Sequence, residues 1–257
     1  MIFTFKRAAL AAFYGAIVSA PVFAVANELP VAIKAVEAKG VRIVDQFEAP
    51  AGLTGYAGEI NGQGVAMYLT KDGKNVIVGT LLDEQANDLT AEPMEKLVYG
   101  PLGDVMWERM ESSTWIADGK DDAERIVYVF SDPNCPYCTQ FWEQARPWVE
   151  SGKVQVRHIM VGMLRPDSAG KAAAMLTAAD PSAALTSHEQ GKRNTQALKQ
   201  IPGEVRKQLA ENLDLMNALG SAATPSIFYK ENGRLENQQG APQPEALERI
   251  MGSAKPQ

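Results

Sequence analysis

Cys135 and Cys138 are the only cysteines in this chain of 257 residues, and they stand three positions apart in Phe130-Ser131-Asp132-Pro133-Asn134-Cys135-Pro136-Tyr137-Cys138-Thr139-Gln140-Phe141-Trp142. A bridge between them would close too small a loop to restrain the unfolded chain much. The C-x-x-C spacing suits thiol–disulfide exchange instead, in which one thiolate attacks a sulfur and a second thiol resolves the mixed disulfide.

The surrounding residue types point the same way. Ile126-Val127-Tyr128-Val129-Phe130 reads as a buried strand. Pro136 falls at the first position of the helix that follows, where its missing N–H costs nothing. Cys135 is thus placed at a helix start, whose free N–H groups and positive dipole end favour the thiolate and lower its pKa. Cys138, one turn on, has the spacing to reach the Cys135 sulfur. Tyr137 is expected to be exposed beside the pair, while Phe141, Trp142 and Trp148 form the buried face of the helix. Pro147 should kink it.

Other uses of the cysteines lack partners. Zinc would need two further ligands, and His158 and His188 do not have the close spacing of a finger. A c-type haem site needs His where this chain has Thr139, and an iron–sulfur cluster needs more cysteines. No metal and no cofactor is expected, and the two histidines read as structural or surface residues. An inert buried pair is the remaining alternative, opposed by the proline and the helix start. Thr224-Pro225 is a second candidate element: a proline opening a strand removes a ladder donor, and the sequence leaves its peptide bond trans or cis.

A hydrophobic content of 46% with 22% charged residues allows a sizeable core, in one large domain or two ordinary ones. The net charge of -6 and the lack of a Lys/Arg-rich run argue against nucleic acid as the main partner. Lys6 and Arg7, an apolar stretch over 8–18, Pro21 and Ala24-Val25-Ala26 read as an export signal over 1–26, cleaved after Ala26. An uncleaved anchor over 8–26 is the alternative; it is Ala-rich, broken by Pro21, and marginal against the roughly 20 strongly apolar residues of a spanning helix. Export places the thiols in an oxidising compartment, where structural disulfides would need several cysteines at long spacing.

Residues 27–88 read as a small unit. It holds a helix over 30–39, a strand over 41–47, glycine-rich turns around a short strand at 56–60, and a hairpin of 65–70 with 75–81 about Lys71-Asp72-Gly73-Lys74. A unit of about sixty residues buries too little to be secure alone, which points to self-association through an unpaired sheet edge. Residues 89–113 are helical in pattern but interrupted at Gly100-Pro101. They read as a linker between domains, with packing on one globule as the alternative. Residues 114–257 then give a strand, the cysteine helix, a strand over 154–161, helices across about 165–220, a strand over 225–229, an Asn232-Gly233 turn into 234–238, and a helix over 244–251. That order is α+β: a thioredoxin-like domain with a helical insertion.

The stretch 115–157, with Val127-Tyr128-Val129-Phe130, Asp132-Pro133, Cys135-Pro136-Tyr137-Cys138, Phe141-Trp142 and Gln144-Ala145-Arg146-Pro147-Trp148, closely resembles the DsbC/DsbG family of periplasmic thiol:disulfide interchange proteins. The likeness extends over essentially the whole chain after the leader, including Glu28-Leu29-Pro30, Thr70-Lys71-Asp72-Gly73-Lys74 and Thr224-Pro225. Pro-Tyr between the cysteines leans toward the DsbG branch, since DsbC carries Gly-Tyr. The resemblance implies a V-shaped homodimer, each protomer having a small cystatin-like N-terminal dimerisation domain, a linker helix and a thioredoxin-like domain facing a shared cleft. It implies Cys135 as nucleophile, Cys138 as resolving thiol, and Thr224 with a cis Pro225 as the loop that docks substrate backbone beside the sulfur, with Tyr137 also expected to bind substrate. It also implies exported cysteine-containing proteins as substrates and a membrane reductase of the DsbD type as electron source. The implied activity is disulfide isomerisation or reduction of sulfenylated cysteines, with chaperone-like client binding.

One position departs from the wider thioredoxin pattern: Val129 stands six positions before Cys135, where thioredoxin has a buried Asp. Proton transfer then needs water or another group; Asp132 and Glu143 are nearby in sequence. Two rival functions stay open, a net dithiol oxidase of the DsbA type and a chaperone whose thiols are incidental. Direction depends on reduction potential, which the motif does not determine, and the N-terminal unit favours the isomerase or reductase.

Overall fold

The computed structural model describes residues 28–191 and 194–256. The expected leader, 1–26, lies outside them. The chain begins with α1 (Val31–Glu37), then β1 (Arg42–Glu48), β2 (Thr54–Ile60), β3 (Gln63–Leu69) and β4 (Val76–Val78), an antiparallel meander in that order. Ile33 of α1 buries against Val41, Tyr56, Met67 and Leu69. The short strand expected at 56–60 within the glycine-rich stretch forms and begins two residues earlier, as β2. Within β2, a Cβ on Gly55 would lie 2.3 Å from the Phe47 ring and one on Gly58 2.7 Å from Val41, so these glycines permit close approach. The Asp-Gly hairpin forms, with Thr70 N–H donating to Asn75 O at 3.0 Å. Its second strand is shorter than expected, because Gly79 at φ +143 diverts the chain just after β4.

A helical segment follows: α2 (Ala91–Met94), a π-helical turn (Glu95–Tyr99) and α3 (Gly100–Glu111). The interruption expected at Gly100-Pro101 takes the form of that turn. Pro101 has no N–H to return to Leu97, and the Gly100 N–H reaches back five residues to Glu95 O. The segment is shared between two cores. Met94 and Val98 bury with Ala57, Ala66 and Tyr68, whereas Met110 and Trp107 join Tyr128, Phe130 and Phe228.

The second sheet has the order β5 (Trp115–Asp118), β7 (Val154–Met160), β6 (Arg125–Ser131), β8 (Ser226–Glu231), β9 (Arg234–Gln239). Only the β6–β7 pair is parallel, joined through α4 (Pro136–Glu150); its other pairs are antiparallel. Three helices, α5 (Ser168–Leu176), α6 (Pro181–Gln190) and α7 (Gly203–Ala218), separate β7 from β8, and α8 (Pro244–Met251) closes the chain. This is the expected α+β, thioredoxin-like arrangement. Strand β5 was not legible in the periodicity: it is four residues long and lies at the sheet edge. Central β6 is buried on both faces. Val127 and Val129 meet Phe141, Ala145 and Trp148 of α4, while Tyr128 and Phe130 meet Leu215 and Met216 of α7. Helix α4 runs to Glu150 with Pro147 inside it. The lost hydrogen bond falls in its last turn, where few residues remain to be displaced.

Candidate functional site

Because β6 and β7 run parallel, the segments that follow them emerge at one edge of the sheet, the edge at which open α/β sheets place their sites. Strand β8 lies beside β6 with Ser226 opposite Phe130. That register brings Thr224-Pro225 onto the cysteine loop, although the two are 89 residues apart. The Thr224-Pro225 peptide bond is cis, and the Cys135 thiol donates to Thr224 O at 3.2 Å.

Both cysteines are free thiols, each 2% exposed, whereas Tyr137 between them is 60% exposed. Cys135 caps α4 in an extended conformation and Pro136 occupies the first turn, as the sequence led one to expect. The Cys135 pKa is lowered to about 6, chiefly because the Cys138 thiol donates to its thiolate; burial opposes this, and the Thr224 hydroxyl and the N–H groups of Cys138 and Tyr137 assist. The helix start therefore accounts for only part of the shift. Cys138 is pushed well above the ordinary thiol value, first by burial and then by its hydrogen bond and charge interaction with Cys135. The pair thus divides into one thiolate and one protonated thiol. Thr224 Oγ1 is buried above them without a hydrogen-bond partner of good geometry.

Asp132 organises the loop. Its side chain is 1% exposed, and its two oxygens accept four bonds: from Asn134 N at 2.8 Å and Ser168 Oγ at 2.8 Å, and from Met163 N at 2.8 Å and Leu164 N at 2.9 Å. Its backbone carbonyl accepts from Cys135 N at 2.9 Å. With its acceptor positions taken up in this way, Asp132 acts as a strut between the cysteine loop, the segment after β7 and the start of α5. Glu143, the other nearby acid, is exposed on α4. Asn134 extends the strut, donating to Asp167 Oδ1 at 2.9 Å and Ser168 Oγ at 2.9 Å and accepting from Lys171 Nζ at 2.9 Å.

The insertion holds the loop from the other side. His188 Nε2 lies 2.8 Å from Pro133 O and its Nδ1 2.8 Å from Thr195 Oγ1, while Thr139 Oγ1 donates to Glu189 Oε2 at 2.6 Å. Both histidines are buried. His158 stands beside Val129 in the parallel register, with Nδ1 3.3 Å from Ser131 Oγ and Nε2 3.5 Å from Asp118 Oδ2. Arg146 pairs with Asp118 and lies over the Trp142 ring at 4.0 Å. Burial opposes ionisation of Asp118, yet His158 and Arg146 outweigh it and hold the carboxyl below its ordinary range. The partners of this cluster come from β5, β6, α4 and β7, so no local motif could have revealed it.

The comparisons agree with this geometry. The family model for the thioredoxin-like domain matches residues 116–255. The chain is 59% identical over 230 residues to the thiol:disulfide interchange protein DsbG of Pseudomonas aeruginosa, covering 88% of this chain and 90% of that one. It is 46% identical over 237 residues to DsbG of Escherichia coli, covering 91% and 95%. Among solved structures, the catalytic domain of Proteus mirabilis ScsC is similar in fold, with a TM-score of 0.51 at 22% identity, over 60% of this chain and 97% of that one. The chain belongs to the DsbG family of thiol:disulfide interchange proteins.

Proposed function

We propose that this chain is a periplasmic dithiol that reduces or isomerises disulfides, and reduces sulfenylated cysteines, in exported proteins. The observation that carries the reading is the unequal ionisation of the pair, Cys135 drawn to about 6 and Cys138 pushed up, beside the cis Thr224-Pro225 bond. The Cys135 thiolate attacks one sulfur of a substrate disulfide, and the other sulfur leaves as a thiolate. Cys138 then gives up its proton and attacks Cys135 Sγ. The substrate's first sulfur leaves as a thiol, and the protein carries the Cys135–Cys138 disulfide. If instead the displaced substrate thiolate attacks a second substrate disulfide, and the thiolate freed there attacks the substrate sulfur bonded to Cys135, Cys135 leaves as a thiolate, the substrate disulfides are rearranged and the pair stays reduced. A sulfenic acid reacts likewise, with water as the leaving group. Thr224, Pro225 and Tyr137 form the surface against which the substrate backbone lies.

The wider assignment follows the same reading. Residues 1–26 are a leader removed after Ala26, 27–88 a dimerisation unit, 89–113 a linker and 114–257 the catalytic domain. Among the described residues no helix is long and apolar enough to cross a membrane. Homodimerisation is supported by β4, which pairs with β3 on one side and leaves Ile77 and Val78 more than half exposed. A mature protein that scatters light as a monomer at micromolar concentration would remove the dimer from this account. Partly folded clients bind in a chaperone-like manner, and a membrane reductase of the DsbD type restores the dithiol.

A net oxidase is the second reading, favoured by the low Cys135 pKa itself, since stabilising the thiolate stabilises the reduced form and raises the potential. Alkylation trapping in periplasmic extracts separates the two. A mostly reduced pair is expected; a mostly oxidised pair would replace this function with the oxidase.

A further inference from the structure

We propose that Met163-Leu164 is a specificity element that takes an apolar side chain next to the target cysteine of a polypeptide substrate. The inference rests on the thiol–disulfide reading above and names the kind of sequence that the site favours.

The placement follows from topology. Strands β6 and β7 are parallel, so residues 161–164 leave the sheet beside residues 131–134. Val161 N–H donates to Ser131 O at 2.9 Å, and the N–H groups of Met163 and Leu164 both donate to Asp132 Oδ2. Gly162 between them lies so close to α5 that a Cβ there would be 2.5 Å from Ala169 Cα. The backbone of the segment is therefore fixed to Ser131 and Asp132, four and three positions before Cys135, through a carboxylate that also holds Asn134 N. Its side chains are not buried by that arrangement. Met163 is 39% exposed and Leu164 46% exposed, as Tyr137 between the cysteines is 60% exposed.

The occupant is set by the reaction. A substrate sulfur must come to Cys135, which is itself 2% exposed, so the residues flanking that sulfur lie against the segments beside the cysteine loop. Apolar side chains held by rigid backbone at this point remove a flanking apolar side chain from water. Methionine adapts to occupants of different shape, which suits a site serving more than one protein. Of the cations on this side, Lys171 is engaged with Asn134 and Asp167, whereas Arg165, the residue after Leu164, is exposed, so an acidic flank is the competing occupant that the test must separate.

The test uses peptides with one cysteine as its glutathione mixed disulfide, flanked by Leu, by Ser or by Asp, mixed with the reduced mature protein in stopped flow. Cys135 attacks the peptide sulfur and glutathione leaves; Cys138 then releases the peptide thiol. The Leu peptide is expected to react about tenfold faster than the Ser peptide, the scale set by taking part of one aliphatic side chain out of water. In the Met163→Ser, Leu164→Ser double variant that ratio should fall to about twofold or less, while the remote Leu82→Ser variant should keep it. Equal wild-type rates, a fastest Asp peptide, or a ratio unchanged in the double variant would each overturn the proposal. If the wild type reduces neither the peptides nor hydroxyethyl disulfide, the thiol–disulfide reading itself falls.

Discussion

His188 Nε2 donates to the carbonyl oxygen of Pro133 across 2.8 Å, while its Nδ1 takes a hydrogen bond from the Thr195 hydroxyl at 2.8 Å. The ring thus bridges the helical insertion and the loop that carries Cys135. The insertion is more than a connection from β7 to β8. It braces the cysteine loop through Pro133 O and Thr139.

Replacing His188 with Ala should therefore weaken the site as well as the fold. Leaving the Pro133 carbonyl and Thr195 without their partner is expected to cost about 1–3 kcal/mol in urea denaturation. The alkylation rate of Cys135 should change with it, because the loop is freed. His188→Gln, which can restore a donor, should recover part of both. A variant with unaltered stability and alkylation rate would show that the brace is idle.

The Cys135 thiolate should titrate with a midpoint near 6 by absorbance. In Cys138→Ala the midpoint should rise, since the Cys138 thiol is its largest stabiliser, but stop short of the ordinary value because the Tyr137 N–H remains. An unchanged midpoint would hand the whole effect to the helix start. The same shift has a consequence for stability. Its folded pKa lies below the free value of 9.0, so ionisation of Cys135 stabilises the reduced fold above that value, and this contribution is lost as the pH falls through about 6. Cys135→Ser should lose less stability than the reduced wild type between about pH 8 and about pH 5.

Arg146 to Met is expected to be strongly destabilising. It would strip the buried Asp118 carboxylate of its guanidinium partner, leaving His158 at 3.5 Å as the remaining group. Removing one member of such a buried pair typically costs about 3–5 kcal/mol, measurable by urea denaturation. A loss within a few tenths would mean that His158 alone neutralises Asp118.

Much of this molecule is legible in residue order because its signals are local. The apolar run of β6, the proline at the start of α4 and the C-x-x-C spacing are read within a dozen residues, and the Asp72-Gly73 hairpin within four. Elements that depend on partners were harder. Strand β5 is too short for periodicity and exists because it pairs with β7. The glycines of β2 look like turn residues until Phe47 and Val41 are seen packed over them. The π-helical turn before Pro101 marks a sequence-level interruption that the surrounding packing absorbs without ending the helix.

At the redox pair the division is the same. Residue order alone determined that Cys135 would start a helix, that Cys138 would lie one turn away, and that Tyr137 would face outward. Only the tertiary structure decided how far the two thiols separate in acidity, because that depends on burial and on a donor supplied across the pair. It also decided that Asp132 is spent as an acceptor of four hydrogen bonds, and that His158 stands beside Val129 in the register. Those relationships join strands and helices far apart in the chain. Hydrogen bonds and charges act over ångströms in space, and sequence separation carries no record of them.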